Sequence, residues 1–140
     1  MIEVKLVTFP GHCGTRLWLS QRAAEGLAEF RKKGDPNGAF WKKVQRMARV
    51  GFRYYEGSRG MPIRPEGGGV YRIGIHGSLF RIVGFFKDES RSDFIGVDVF
   101  LKSGQDLSRS ERDRIDAVAK VKQNGSWKEV ENGRYPRLAQ

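Results

Sequence analysis

Between Tyr71 and Lys102 the chain runs through three short stretches in which apolar and polar positions trade places. Side chains two apart on a strand share a face, whereas a helix returns to the same face every three or four residues. In the first stretch Tyr71, Ile73 and Ile75 fall together, opposite Arg72, Gly74 and His76. In the third, Ile95, Val97, Val99 and Leu101 oppose Phe94, Gly96, Asp98, Phe100 and Lys102. The middle stretch runs from Leu79 to Phe86 and contains Arg81. Turn residues separate the three, at Gly77-Ser78 and across 89–92, so the pattern predicts an antiparallel meander. One face of that sheet is expected to be apolar. The other gathers cations, a carboxylate, an imidazole and an aromatic ring.

Elsewhere the spacing is helical. Ile2 to Phe9 reads as a first strand closed by Pro10-Gly11, and Thr15 as the cap of a helix reaching about Lys33. Its inner stripe is Leu17, Ala24, Leu27 and Phe30. Gly34 ends it, and Asp35-Pro36 is a start signal for a second helix carrying Phe40, Val44, Met47, Ala48 and Gly51. Lys42, Lys43, Arg46 and Arg49 line the other side of that helix. The glycine- and proline-rich segment 56–69 reads as a loop. After the meander, Ser108-Arg109-Ser110-Glu111 is a capping box opening a last helix with Ile115, Val118 and Ala119 inward, ending before Asn124-Gly125. The expected fold is α+β in the order β-α-α-β-β-β-α: N-terminal strand, helical hairpin, antiparallel strand meander and C-terminal helix. Residues 1–123 form a single domain in this reading. Residues 124–140, with Trp127 and Tyr135, form a tail without a clear period.

A length of 140 residues suits one domain able to bury a core. The net charge of +10, spread along the whole chain, points to an anionic partner met by a folded basic surface. The lone cysteine, Cys13, excludes an internal disulfide and leaves too few ligands for a cysteine-rich zinc site. His12 and Cys13 stand together in a Pro-Gly-His-Cys-Gly segment that reads as a turn. No cofactor and no metal is expected. No apolar run approaches the roughly 20 residues needed to span a bilayer, and the N-terminus lacks the layout of a signal peptide. A cytoplasmic location without membrane contact follows as the expectation.

Leu79-Phe80-Arg81-Ile82-Val83-Gly84-Phe85-Phe86 resembles the "Tyr-Arg-hydrophobic-hydrophobic-aromatic" strand of the RelE/ParE toxin superfamily. Phe100-Leu101-Lys102-Ser103-Gly104-Gln105 is similar to that family's "Phe-x-Lys-Lys-x-x-Gln" segment, and Leu107 to Glu111 to its acidic helix start. The likeness covers about residues 70–122 and lies nearest the phage-derived HigB-like branch. It implies a toxin of a type II toxin–antitoxin module, a ribosome-dependent, metal-independent mRNA endonuclease (an mRNA interferase) that inhibits translation and is silenced by a cognate antitoxin. By position, Arg81 matches the family's active-face arginine and Lys102 its basic residue after the conserved aromatic. Ser103 stands where the family has a second lysine, and no tyrosine matches its late catalytic-region tyrosine.

Metal-free RNA cleavage needs a base for the 2′-hydroxyl, positive charge for the crowded phosphate and an acid for the leaving 5′-oxygen. Arg81 and Arg72 supply forked cations, and Lys102 further charge. His76 supplies an imidazole suited to proton transfer near neutral pH, and Asp98 a carboxylate to orient it or act as base. Phe100 or Phe94 offers a stacking surface for an unpaired base, and Lys87 adds to the field. Arg81, His76, Asp98 and Lys102 are thus the catalytic candidates, with Arg72, Phe100 and Lys87 as RNA-binding candidates. The same features also admit a non-enzymatic reading, as a ParE-like gyrase inhibitor or a phage nucleic-acid-binding protein.

Overall fold

A computed structural model describes residues 1–7, 14–58 and 60–130 of the chain. His12, Cys13 and Tyr135 lie outside the described residues. Seven strands form one sheet: β1 (Ile2–Leu6), β2 (Arg16–Ser20), β3 (Ile63–Gly67), β4 (Val70–Gly74), β5 (Phe80–Phe86), β6 (Asp93–Leu101) and β7 (Trp127–Val130). Three helices accompany them: α1 (Gln21–Lys33), α2 (Ala39–Val50) and α3 (Arg109–Asn124). The strand order is β3-β4-β5-β6-β2-β1-β7, with β2 parallel to β6 and β1 parallel to β7. The architecture is α+β, and the β4-β5-β6 meander forms as the alternation predicts.

Three segments differ from the sequence reading. Residues 16–20 are a strand and not the first turn of a helix. Leu17 and Leu19 enter the core on one side of the sheet, and Trp18 enters the core on the other. A strand inserted between β1 and β6 must bury both faces, and three consecutive large apolar residues satisfy that where a helical stripe would not. The helix begins at Gln21 instead, capped by Ser20, whose hydroxyl accepts from the Ala23 amide at 3.0 Å. Thr15 serves a different end: its hydroxyl accepts from the Phe52 amide and donates to the Arg91 carbonyl.

Residues 63–67, expected as loop, form the edge strand β3. Pro65 is tolerated there because an edge has one unpaired side. Gly67, Gly68 and Gly69 all take positive φ, the backbone that the reversal into β4 requires. Beyond residue 123, β7 extends the same sheet, and Trp127 packs edge-on against Phe85 at 4.9 Å.

Each face of the sheet carries a hydrophobic core, so the expectation of one apolar and one wholly open face does not hold. The α1 and α2 side holds Leu27, Phe40, Trp41, Met47, Ile73, Ile82 and Phe94; the α3 side holds Val70, Val83, Phe85, Ile95, Phe100 and Ile115. A bulge explains why strict alternation failed in β6. Val83 pairs with Asp98 but the next residue, Gly84, pairs with Gly96, so Val97 is an extra residue. Val97 therefore joins the α3 core and Val99 the opposite one, and Phe94 and Phe100 also part. Gly84 permits the close approach, since a Cβ there would lie 2.0 Å from the Ile95 carbonyl oxygen.

Helix α2 starts after a short turn at 36–38, with Asp35 reaching across it. The Asp35 carboxylate accepts from the Phe40 amide at 2.8 Å and from the Trp41 amide at 3.3 Å. The capping box of α3 forms as the sequence predicts, and its C-terminal Gly125 takes a left-handed conformation.

Candidate functional site

Where β4 and β5 run past the N-terminal end of α3, the sheet is left uncovered, and a cleft of about 750 Å³ opens. Arg64, Arg72, Arg81, Lys102 and His76 line it. Each cation arrives by sheet register. Arg64 on β3 lies directly opposite Arg72 on β4, and Gly74 on β4 opposite Arg81 on β5. Like charges facing each other across a strand pair repel, so this register costs stability unless an anion is held between them. Gly74 makes room for Arg81: a Cβ there would lie 2.6 Å from the Arg81 Nε and 2.8 Å from its Cζ.

The cluster carries little compensating charge. Arg72 pairs through Nε with Glu66 at 3.3 Å, both side chains more than nine-tenths buried. Its Nη1 is buried without a hydrogen-bond partner. Burial pulls the Arg72 guanidinium below its ordinary value; Glu66 resists, while Arg64 and Arg112 add to the pull. Burial also lowers Arg81, with Arg72 and Arg64 acting in the same direction. Both arginines remain charged. Burial accounts for most of their depression, and the repulsion of neighbouring cations adds to it.

Arg81 is fastened to the β4-β5 turn, its Nη1 donating to the carbonyls of Ser78 and Phe80. Lys102, just past β6, donates through Nζ to the Gln105 carbonyl, and its backbone amide donates to the Leu79 carbonyl at 2.8 Å. Burial lowers the Lys102 ammonium from its ordinary value, and Arg72, Arg81 and Arg64 lower it further. The segment after Lys102 is pinned by Glu111, whose carboxylate accepts from the Ser103 amide at 3.0 Å and the Ser108 amide at 2.8 Å. Burial acts to raise the Glu111 carboxyl, but these hydrogen bonds and the Lys102 charge hold it below its ordinary value.

The cleft thus brings together Arg72, His76, Arg81 and Lys102 from the sequence candidates. It does not include Asp98, Phe100, Phe94 or Lys87. Asp98 lies at the β6 bulge, held by Arg22 at 3.2 Å and Arg114 at 3.5 Å. Phe100 is buried beneath α3, and Phe94 is buried on the other face against Phe52 and Phe86. Lys87 follows the far end of β5, about 20 Å along the strand from Arg81, and pairs with Glu129 at 2.8 Å. Arg64 was missed because its strand is hidden among glycines and prolines. Its only sequence trace is the alternation of Ile63, Arg64, Pro65 and Glu66.

Among the described residues no group of three or more histidines, cysteines or acids is arranged to hold a metal ion, and no helix is long and apolar enough to cross a membrane. No protein-family model matches the chain, and neither a curated protein nor a solved structure is significantly similar to it.

Proposed function

We propose that the cleft holds the phosphate backbone of single-stranded RNA, and that the chain is a RelE-like toxin cleaving mRNA on the ribosome in the cytoplasm, under restraint by an antitoxin. The observation that carries this reading is the convergence of Arg64, Arg72, Arg81 and Lys102 on one cleft that, among the described residues, no carboxylate lines. Burial is the main cause that lowers Arg72, Arg81 and Lys102, and their mutual repulsion adds to it; an oxyanion there offsets that repulsion. The elements β1, α1, α2, β4, β5, β6 and α3 come in the order that the family resemblance implies, and β2, β3 and β7 enlarge the sheet beyond it.

In the cleavage reading, the 2′-oxygen attacks its neighbouring phosphate, forming a 2′,3′-cyclic phosphate and releasing the 5′-oxygen. Arg72 and Arg81 hold the phosphate oxygens as charge builds on them. His76 takes the 2′-hydroxyl proton. Lys102 gives a proton to the leaving oxygen, a task favoured by its lowered affinity for that proton. Asp98 takes no part, being engaged by Arg22 and Arg114.

A specific feature favours binding without cleavage as the second reading. His76 is exposed at the rim, and the described residues lining the cleft include no acid to orient its ring. Primer extension on mRNA from a translating extract separates the two. Cleavage that is lost with His76→Ala and with Arg81→Glu supports the toxin nuclease. Translation arrest that survives His76→Ala but not Arg81→Glu, with no cut mRNA, overturns the cleavage reading in favour of a nucleic-acid-binding inhibitor.

A further inference from the structure

The cleft has a wall that phosphate binding leaves unused. Met61 and Leu79 are large apolar side chains, 37% and 54% exposed, and both line it beside Pro62. Neither is a stray surface residue, because the backbone around each is tied to the cation cluster. Leu79 offers its carbonyl to the Lys102 amide, and the Ser78 carbonyl just before it holds Arg81. Met61 precedes β3, the strand carrying Arg64, and lies so close over Gly57 that a Cβ there would come within 2.6 Å of its Cγ. Apolar wall and cations therefore line one cleft.

A ligand that fits both is charged at one end and flat and apolar at the other. We infer that the cleft is a nucleotide site: a phosphate sits among Arg64, Arg72, Arg81 and Lys102, and its nucleobase lies against Met61, Pro62 and Leu79. The inference rests on the phosphate-binding reading and adds the second contact. A thioether and aliphatic groups make favourable contact with the face or edge of an aromatic ring. The volume of about 750 Å³ falls within the roughly 300–1,000 Å³ of pockets that enclose small ligands. A base inside a duplex is covered on both faces, so this wall selects an unpaired nucleotide. Phe94 and Phe100, buried in the two cores, are not available for that contact.

The test is a calorimetric titration of the full chain with ribose 5-phosphate, AMP and a trinucleotide RNA. In the wild type AMP binds about tenfold more tightly than ribose 5-phosphate, the gain of one base contact. In Met61→Ala and Leu79→Ala that ratio falls towards one. Both positions are substantially exposed, and thermal unfolding verifies that the variants fold. A wild-type ratio near one, or a ratio unchanged in both variants, overturns the base wall. If Arg81→Ala binds ribose 5-phosphate as well as the wild type, the phosphate reading itself fails, and the inference with it. A trinucleotide that binds no better than AMP assigns the site to free nucleotides, which supports the base wall and overturns the RNA reading.

Discussion

A single added carbon at Gly74 should uncouple RNA binding from folding. Gly74 lies opposite Arg81 in the β4-β5 pairing, and a Cβ on it would fall 2.6–2.8 Å from the Arg81 Nε, Cδ and Cζ. The guanidinium must move. Gly74 does not have the positive φ that alanine would resist, and glycine within a strand is itself unfavourable relative to alanine by about 0.5–1 kcal/mol. The backbone therefore tolerates Gly74→Ala, and the unfolding temperature should stay within about 5 °C of the wild type. Binding should not be spared. Hydrogen bonds involving an ionised partner contribute about 1.5–3 kcal/mol. Displacing the Arg81 guanidinium, as opposed to deleting it, forfeits the lower end of that range. The expected loss is about tenfold in affinity for single-stranded RNA, and the salt slope should be shallower by about 0.7 because one fewer phosphate is neutralised. Fluorescence anisotropy across a salt series measures both quantities. Because Gly74 acts only through Arg81, Gly74→Ala should add little to Arg81→Ala in a double-mutant cycle. A Gly74→Ala protein that folds, and binds RNA with wild-type affinity and salt slope, would refute the placement of Arg81 at the phosphate.

Two further outcomes test the frame around the cleft. Glu111 has its folded carboxyl held below its ordinary value of 4.5, so its contribution to stability is complete above about pH 5 and is lost as acid protonates it. Thermal melts from pH 6 to pH 3 should fall more steeply for the wild type than for Glu111→Gln, and parallel curves would exclude that role. Asp35→Ala strips the cap from the Phe40 and Trp41 amides and should cost about 1–2 kcal/mol in urea unfolding. Asp35→Asn, which keeps an acceptor, should recover most of that loss, and an equal cost for both variants would show that the charge and not the cap matters.

Local chemistry was legible without the fold. Ser108 and Glu111 write their capping box into four consecutive residues, and the meander announces itself because the Gly77-Ser78 turn sits between apolar alternations. The net charge of +10 already pointed to an anionic partner. Arg72, His76, Arg81 and Lys102 could be nominated together because strand register and turn position are short-range properties.

What the sequence could not decide depends on residues far apart in the chain. Arg16 to Ser20 reads as the start of a helix until β6, more than seventy residues on, is known to lie beside it. The bulge at Val97 arises from pairing with β5, and that one-residue slip sends Val97 and Val99 to opposite cores and leaves Asp98 between Arg22 and Arg114. Alternation along one strand carries no record of such a slip. Likewise, whether a charged strand face is open depends on where α3 begins, and only the packed helix leaves the β3-β4-β5 corner bare. The sequence by itself determined which residues can bind an anion. The tertiary structure decided which of them meet, because the register of a sheet and the reach of a helix are set by the packing of the whole core.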